Sequence, residues 1–373
     1  MNKHLHIVCL DVPYPPDYGG VFDLFYKMKT LSELGIKIQL HCFDYGRGEQ
    51  AGLNKYCESV TYYARTKSLT QLLSGIPYMV SSRANRTLLQ NLLQDENPIL
   101  LEGIHCTYFL YNDELKNKKV FLRLHNVEFK YYQHLAKNEK SFLKKLFFLN
   151  ESRLLRGFEK SIIAKAPSIS VSQNDIRTYQ QNFGADLIKY LPVFLPYNSI
   201  ESKVGNGKYC LYHGNLSVNE NENAAIWLSE KVFSNLHIPF IIAGKNPSKK
   251  LKKIAEKNKN ISVIVNPDEE RIAALIGDAH INIVPSFNIT GIKIKLLNAL
   301  FNGRHCITNN AAVDGTQLKS LVYLSNNPTD FISLIQELMN KEFLHEEIVK
   351  RENVLLTEFN NTANAMQLIQ WIY

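Results

Sequence analysis

Lys293 and Lys295 stand directly behind a loop of Ser, Asn, Thr and Gly, in the stretch PSFNITGIKIKLLNALFNGRHCITN that runs from 285 to 309. The apolar run before it, AHINIVP (279–285), reads as a buried parallel strand. Ile292, Leu296, Leu297 and Leu300 then recur at helical spacing until Gly303 stops the helix. Amides at a helix N-terminus point outward and the dipole there favours negative charge. Cations in a first turn are therefore disfavoured unless an anion compensates them. Two lysines at that end, after a buried strand and a glycine-bearing loop, point to a bound phosphate; the alternative is a solvated pair on an exposed face.

Other chemistry-bearing residues fall at strand ends, where open α/β sheets bind ligands. The strand 119–125 ends in His125, followed by Asn126 and Glu128. Glu102 closes the strand 98–102 and is a lesser candidate, on an acceptor side. Gly19 and Gly20 follow the proline-rich PYPPDY after the first strand. They let another group approach the backbone, but G-x-G-x-x-G is absent, so this is no dinucleotide fingerprint. Gly214 and Asn215 follow the strand 209–213 in HGNLSVNENEN.

The elements that must position these residues alternate along the chain. Strands are expected at 4–10, 36–43, 59–64, 98–102, 119–125, 168–171 and 187–191. Helices lie between them, from about 21 to 34, at 82–95, and unbroken from 128 to 166. LPVFLPYNSIESKVGNGK reads as a linker. Alternation then restarts with strands at 209–213, 239–243, 261–265, 279–285, 305–308 and 321–324, and two or three helices close the chain. The class is α/β, with two Rossmann-like β/α/β domains whose parallel sheets face each other across a central cleft. The expected division is 1–193, a linker 194–207, a second domain 208–355, and a terminal helix 356–373 packing toward the first domain.

At 373 residues the chain is too long for one ordinary core. No stretch approaches the roughly 20 apolar residues of a membrane span, and the N-terminus reads as a strand, not a signal peptide. Six scattered cysteines without a CxxC pair indicate reducing cytosol and neither a disulfide framework nor a zinc site. The net charge of +8 is local: between 115 and 165 thirteen Lys and Arg face four acids. Apolar residues interleave with that charge, so an anionic membrane surface is an expected partner of 130–165. A solvated basic face is the plainer alternative. No nucleic-acid module is recognisable.

HGNLSVNEN, IIAGKNP and INIVPSFNITGIKIKLLNALFNGRHCITN resemble the nucleotide-binding half of glycosyltransferases with the GT-B fold, most like glycosyltransferase family 4 (group 1). PYPPDYGG and RLHNVE are similar to its N-terminal glycine loop and to the strand end that carries an active-site histidine. The chain departs from the pattern at two glutamates eight residues apart, which are Thr290 and Asn298 here. A basic pair usual after the strand ending at Gly214 is also missing, and Lys293 and Lys295 stand where a related subgroup has G-x-K-x-K.

The resemblance implies a metal-independent transferase, retaining at the anomeric carbon, with no cofactor beyond a UDP- or GDP-sugar donor. It implies GT-B architecture with C-terminal helices crossing back to the first domain. On it, His125, Gly20 and Lys295 are the catalytic candidates. Gly19, Gly20, Gly214, Asn215, Thr290, Gly291, Ile292, Lys293, Lys295 and Asn298 bind the donor, and Glu102 and Glu128 lie on the acceptor side. The expected acceptor is a glycan or lipid-linked glycan of surface polysaccharide assembly. The expected place is the cytoplasm or the inner face of the membrane. Two other classes stay open: a non-catalytic partner in a glycan-assembly complex, and a sugar-nucleotide epimerase of the same fold.

Overall fold

The computed structural model describes residues 3–16, 19–288 and 290–373. The chain divides into two compact units. The first holds Met1–Pro196, Thr290–Ile292 and Phe359–Tyr373; the second holds Tyr197–Ile289 and Lys293–Glu358.

In the first unit the strands are β1 (His4–Cys9), β2 (Lys37–Asp44), β3 (Ser59–Ala64), β4 (Ile99–Glu102), β5 (Val120–Leu124), β6 (Ser168–Ser170) and β7 (Lys189–Tyr190). They form one parallel sheet in the order β3-β2-β1-β4-β5-β6-β7. Parallel sheets are covered on both faces, so their strands read as continuous apolar runs. Every residue of β4 and β5 is buried. Glu102 and Arg123 are the charged exceptions, and they are register partners across those two strands.

Alternation along each strand feeds two cores. Val8, Leu101, Leu122, Phe158 and Tyr179 pack on one face. Leu5, Ile7, Leu24, Met28, Leu100 and Ile169 pack on the other, with Ala365, Leu368 and Ile372 of the terminal helix Asn361–Ile372.

Helix bounds depart from the sequence reading where local hydrogen bonding intervenes. The first helix begins at Gly19 and runs to Glu33. The stretch 82–95 is helical only over Arg86–Leu92, because Asn85 caps it by accepting from the amides of Thr87 and Leu88. The stretch 128–166 is two helices, Glu128–Asn138 and Phe142–Ile163. Between them Glu139 Oε1 accepts from the amides of Lys140 and Ser141, both at 2.8 Å, and turns the chain. Phe194 and Leu195, read as linker, are buried in the first unit.

In the second unit β8 (Cys210–Asn215), β9 (Phe240–Lys245), β10 (Ile261–Val265), β11 (Ile281–Ile283), β12 (His305–Thr308) and β13 (Tyr323–Leu324) form a parallel sheet ordered β10-β9-β8-β11-β12-β13. Tyr212, Phe240, Ile242, Ile281 and Ile307 build its main core with Phe233 and Phe331. Strand order reverses between β1 and β4 in one sheet and between β8 and β11 in the other. Such reversals open a crevice at the strand C-termini; β8 ends there in Gly214 and Asn215, and the loop that follows β11 leads to the two lysines.

Candidate functional site

In the second unit the helix after β11 runs from Ile294 to Asn302, with Lys293 at its N-cap and Gly303 after its end. Lys295, in the first turn, is half-buried and folds inward. Its Nζ donates to Asn221 Oδ1 at 3.0 Å and Tyr212 Oη at 3.2 Å, and lies 5.0 Å from the Tyr212 ring centre. Among the described residues no carboxylate ion-pairs with it. Burial lowers its ammonium to about 8; the charge of Glu220 opposes that shift and Lys293 adds to it. A buried cation with only neutral acceptors is a site short of an anion.

The strand ends around it are shaped by close backbone approach. A Cβ at Gly244 would fall on the carbonyl oxygen of Gly214, so β8 and β9 meet there only because Gly244 has none. Beside it, His213 is buried with Nε2 unpartnered and its imidazole pushed down to about 4 by burial and by Lys295. Asn215 spends its side chain locally: Oδ1 accepts from the Ser217 amide at 3.1 Å and its hydroxyl at 2.7 Å. Asn298 Oδ1 accepts from Asn302 Nδ2 at 2.8 Å.

In the first unit a charge cluster surrounds His125. Asp23 and Lys27, one turn apart on the Gly19–Glu33 helix, meet Glu102 from the end of β4 and Arg123 from β5. Lys27 Nζ lies 3.1 Å from Asp23 Oδ2 and 2.8 Å from Glu102 Oε1. Arg123 donates to Asp23 Oδ1 from Nη2 at 3.2 Å and to Oδ2 from Nε at 3.4 Å, while Nη1 and Nη2 also reach the carbonyls of Leu191 and Pro192, both at 2.8 Å. Phe194 N–H donates to the same Asp23 oxygen at 2.8 Å. Burial would raise both carboxyls. Arg123, Lys27 and His125 outweigh it at Asp23, and Lys27 with His125 at Glu102, so both are held below the usual range.

His125, 15% exposed, meets Glu102 Oε2 through Nε2 at 2.9 Å, while Nδ1 is 3.8 Å from Asp23 Oδ2. A carboxylate only accepts, so Nε2 carries the proton. Asp23, Glu102 and His125 offer ligand atoms within 4.8 Å of one another, a spacing that also suits a cation. The ammonium of Lys27 and the guanidinium of Arg123 already answer the two carboxylates there.

Next to this cluster Glu128 and Glu159 are buried. Burial, with Asp175, pushes Glu128 up to about 8 against the opposing pull of Asn126 and Arg83. Burial and Glu128 likewise raise Glu159, whose Oε1 accepts from the Phe129 amide at 3.2 Å. Gly291 donates its N–H to Asp175 Oδ2 at 3.2 Å. Its φ is +65°, and a Cβ there would lie 3.1 Å from His125 O and inside contact of Asn126 Oδ1, so only glycine fits.

Residues 207–341 match the family described as Glycosyl transferases group 1. Nearly all of that match falls in the second unit. A protein of Klebsiella pneumoniae named as an uncharacterized 44.6 kDa protein in the cps region is 27% identical over 328 residues, covering 83% of this chain and 84% of that one. Anabaena Alr3699/HepE, solved with UDP and glucose, superposes with a TM-score of 0.65 at 11% identity, covering 99% of each chain. A mutant of S. aureus TarM, solved with Fondaparinux, alpha-GlcNAc-glycerol and UDP, gives 0.69 at 10% identity and 99% of each chain. The fold is GT-B.

Within the matched residues the structure brings together Lys295, Gly214 and Asn215, and adds Tyr212, Asn221 and Glu220. In the other unit it brings together His125, Gly291, Glu102 and Glu128. Glu102 and Glu128 are 1% and 5% exposed, so neither carboxyl is open to an acceptor; Glu102 stands behind His125 instead. Thr290 is buried, and Ile292 lies before the helix that the spacing expected it to open. Gly19 and Gly20 are the first residues of their helix. Asp23, Lys27 and Arg123 were not anticipated. The available signal was an arginine inside the apolar run VFLRL and an acid–lysine pair at i, i+4 on an otherwise apolar helix face.

Proposed function

We propose that this protein is a glycosyltransferase that moves a sugar from a nucleoside diphosphate sugar, a UDP-sugar foremost, to a glycan or lipid-linked glycan acceptor, retaining anomeric configuration. Lys295 carries the reading: an inward-folded ammonium among neutral acceptors, within the residues that match the group 1 family, in the first turn of the helix after the switch-point strand. When the bond from the anomeric carbon to the diphosphate breaks, the electron pair goes to the leaving oxygen. Lys295 and Lys293 stabilise that charge. His125 takes the sugar or the reacting centre, with Gly19 and Gly20 letting the backbone approach it. Thr290 and Asn298 take the sugar and the ribose. No metal is assigned a step, so chelation is expected to leave the rate unchanged.

The K. pneumoniae relative's place in a cps region supports a role in surface polysaccharide assembly. The described helices include none long and apolar enough to cross a membrane. A peripheral position on the inner leaflet is favoured by the helix Phe142–Ile163. Phe142 and Leu143 are 71% and 76% exposed, and Leu146 and Leu149 are exposed near them, among Lys137, Lys140, Lys144 and Lys145. An exposed apolar row inside a basic field fits anionic lipid.

Thermal shift against UDP, GDP, CMP, ADP and dTDP, followed by release of nucleotide from the matching sugar donor with acceptor present, tests the reading. Stabilisation by one diphosphate, lost in Lys293→Ala/Lys295→Ala, with acceptor-dependent release, is the expected result. The Asn298–Asn302 bond favours one second reading, a non-catalytic partner in a glycan-assembly complex, because it occupies the group assigned to the ribose. Binding without turnover would select it.

A further inference from the structure

We propose that Asn221 is a positioning residue of the diphosphate site: its amide fixes Lys295 against the Gly214–Asn215 strand end, and its neutrality leaves the ammonium to an incoming anion. The proposal rests on the reading of Lys295 as the diphosphate ligand.

The hydrogen bonds leave one arrangement for this amide. Lys295 Nζ only donates, so the atom it meets at 3.0 Å is Oδ1. Nδ2 is then the donor to Asn215 O at 2.9 Å. The backbone closes the ring: Asn221 O accepts from the Tyr212 hydroxyl at 2.8 Å, so that hydroxyl's proton is committed and its oxygen faces Lys295 at 3.2 Å. The same side chain backs Gly214, where a Cβ would lie 3.4 Å from Asn221 Cγ. One residue thus ties the strand end, the tyrosine and the lysine together. Two of the three ammonium donors are spent on these neutral groups, leaving one for a ligand.

The charged and titratable groups around Lys295 are Glu220, Lys293, His213 and Tyr212. Glu220 is the acid among them, and its Oε1 accepts from Ser286 Oγ at 3.3 Å and does not pair with the lysine. An aspartate at 221 would put a carboxylate at hydrogen-bond distance and neutralise the lysine before any ligand arrived.

Calorimetric titration of the full-length protein with UDP and with GDP, at about pH 8.5 in two buffers of different ionisation heat, gives affinity and proton uptake together. In the wild type one diphosphate should bind with uptake of part of a proton, as Lys295 becomes fully charged. Asn221→Asp should bind about tenfold or more weakly and lose that uptake, because its lysine is already charged. Asn221→Ala, which removes the brace without adding charge, should weaken binding while keeping the uptake, and it reports the site if the aspartate variant does not fold. Wild-type affinity and uptake in Asn221→Asp, or equal uptake in all three proteins, would overturn the assignment and leave the diphosphate reading standing. A wild type that binds neither nucleotide, or binding indifferent to Lys295→Met, would sink the diphosphate reading and this one with it.

Discussion

His125 and Glu102 share a hydrogen bond of 2.9 Å, and the carboxylate that accepts it also holds Lys27 through both oxygens, at 2.8 and 3.0 Å. The histidine is therefore aimed by a buried, charge-balanced group and keeps 15% of its side chain exposed. In Glu102→Gln the charge balance fails, since Lys27 and Arg123 then share only Asp23. Removing one partner of a buried pair costs about 3–5 kcal/mol, so the denaturation midpoint should fall sharply. Turnover should drop by about 10–100-fold with donor KM little changed, since misplacing a reacting group acts on the transition state. Adding Lys27→Met should recover part of the stability but not the turnover. Steady-state kinetics beside urea titrations separate the two effects.

Diphosphate affinity should depend on pH through Lys295. In the free protein its ammonium loses a proton at about 8, below the ordinary 10.5, and a bound diphosphate pulls that value up. Binding should be level below about pH 8 and weaken above it, approaching tenfold per unit. Lys295→Met should bind weakly and flatten the curve. A titration series from neutral to alkaline pH reads the effect. A wild-type curve that stayed level above that range would remove Lys295 from the binding step.

Glu128 should make the fold sensitive to alkali. Its carboxyl sits at about 8 in the folded chain against an ordinary 4.5. A raised folded value stabilises below the unfolded one, and the benefit is lost as pH rises through the folded one. Glu159 shifts the same way. Glu128→Gln should therefore raise Tm by a few degrees near pH 8 and leave it almost unchanged near pH 5. Differential scanning calorimetry at the two pH values checks the sign.

Binding to anionic vesicles should depend separately on charge and on the exposed apolar row. Neutralising Lys137, Lys140, Lys144 and Lys145 should weaken cosedimentation by about tenfold or more and remove its salt dependence, at about 1 kcal/mol for each lysine near the surface. Phe142→Ser/Leu143→Ser should weaken it at any salt. Neither set should alter nucleotide binding. Vesicle binding that survives both sets would exclude this helix as the contact.

The sheets were legible because buried parallel strands leave unbroken apolar runs: β4, β5, β8 and β9 fall within a residue or two of their expected positions. Gly303 after the lysine-led helix was legible for the same local reason. The turn at Glu139 was not, since it is made by a side chain accepting from the next two amides, in a polar stretch without Gly or Pro. Nor were the partners of the key residues. Asp23 and His125 stand 102 positions apart, with Glu102 and Arg123 between them, and the four meet only because β1, β4 and β5 lie side by side. Asn221 gave no hint in an Asn-rich run, and its importance lies in one amide orientation set by three other groups.

The helix Asn361–Ile372 places Ala365, Leu368 and Ile372 in the same core as Leu5, Leu24 and Met28. The core begun by β1 is therefore finished by residues more than three hundred positions later. A nascent chain emerging from the ribosome carries an incomplete apolar face until this helix follows, a period in which exposed core surface invites aggregation. Deleting Asn361–Ile372 would leave that face open for good, so a chain without this helix should be insoluble although every residue assigned to the site would still be present.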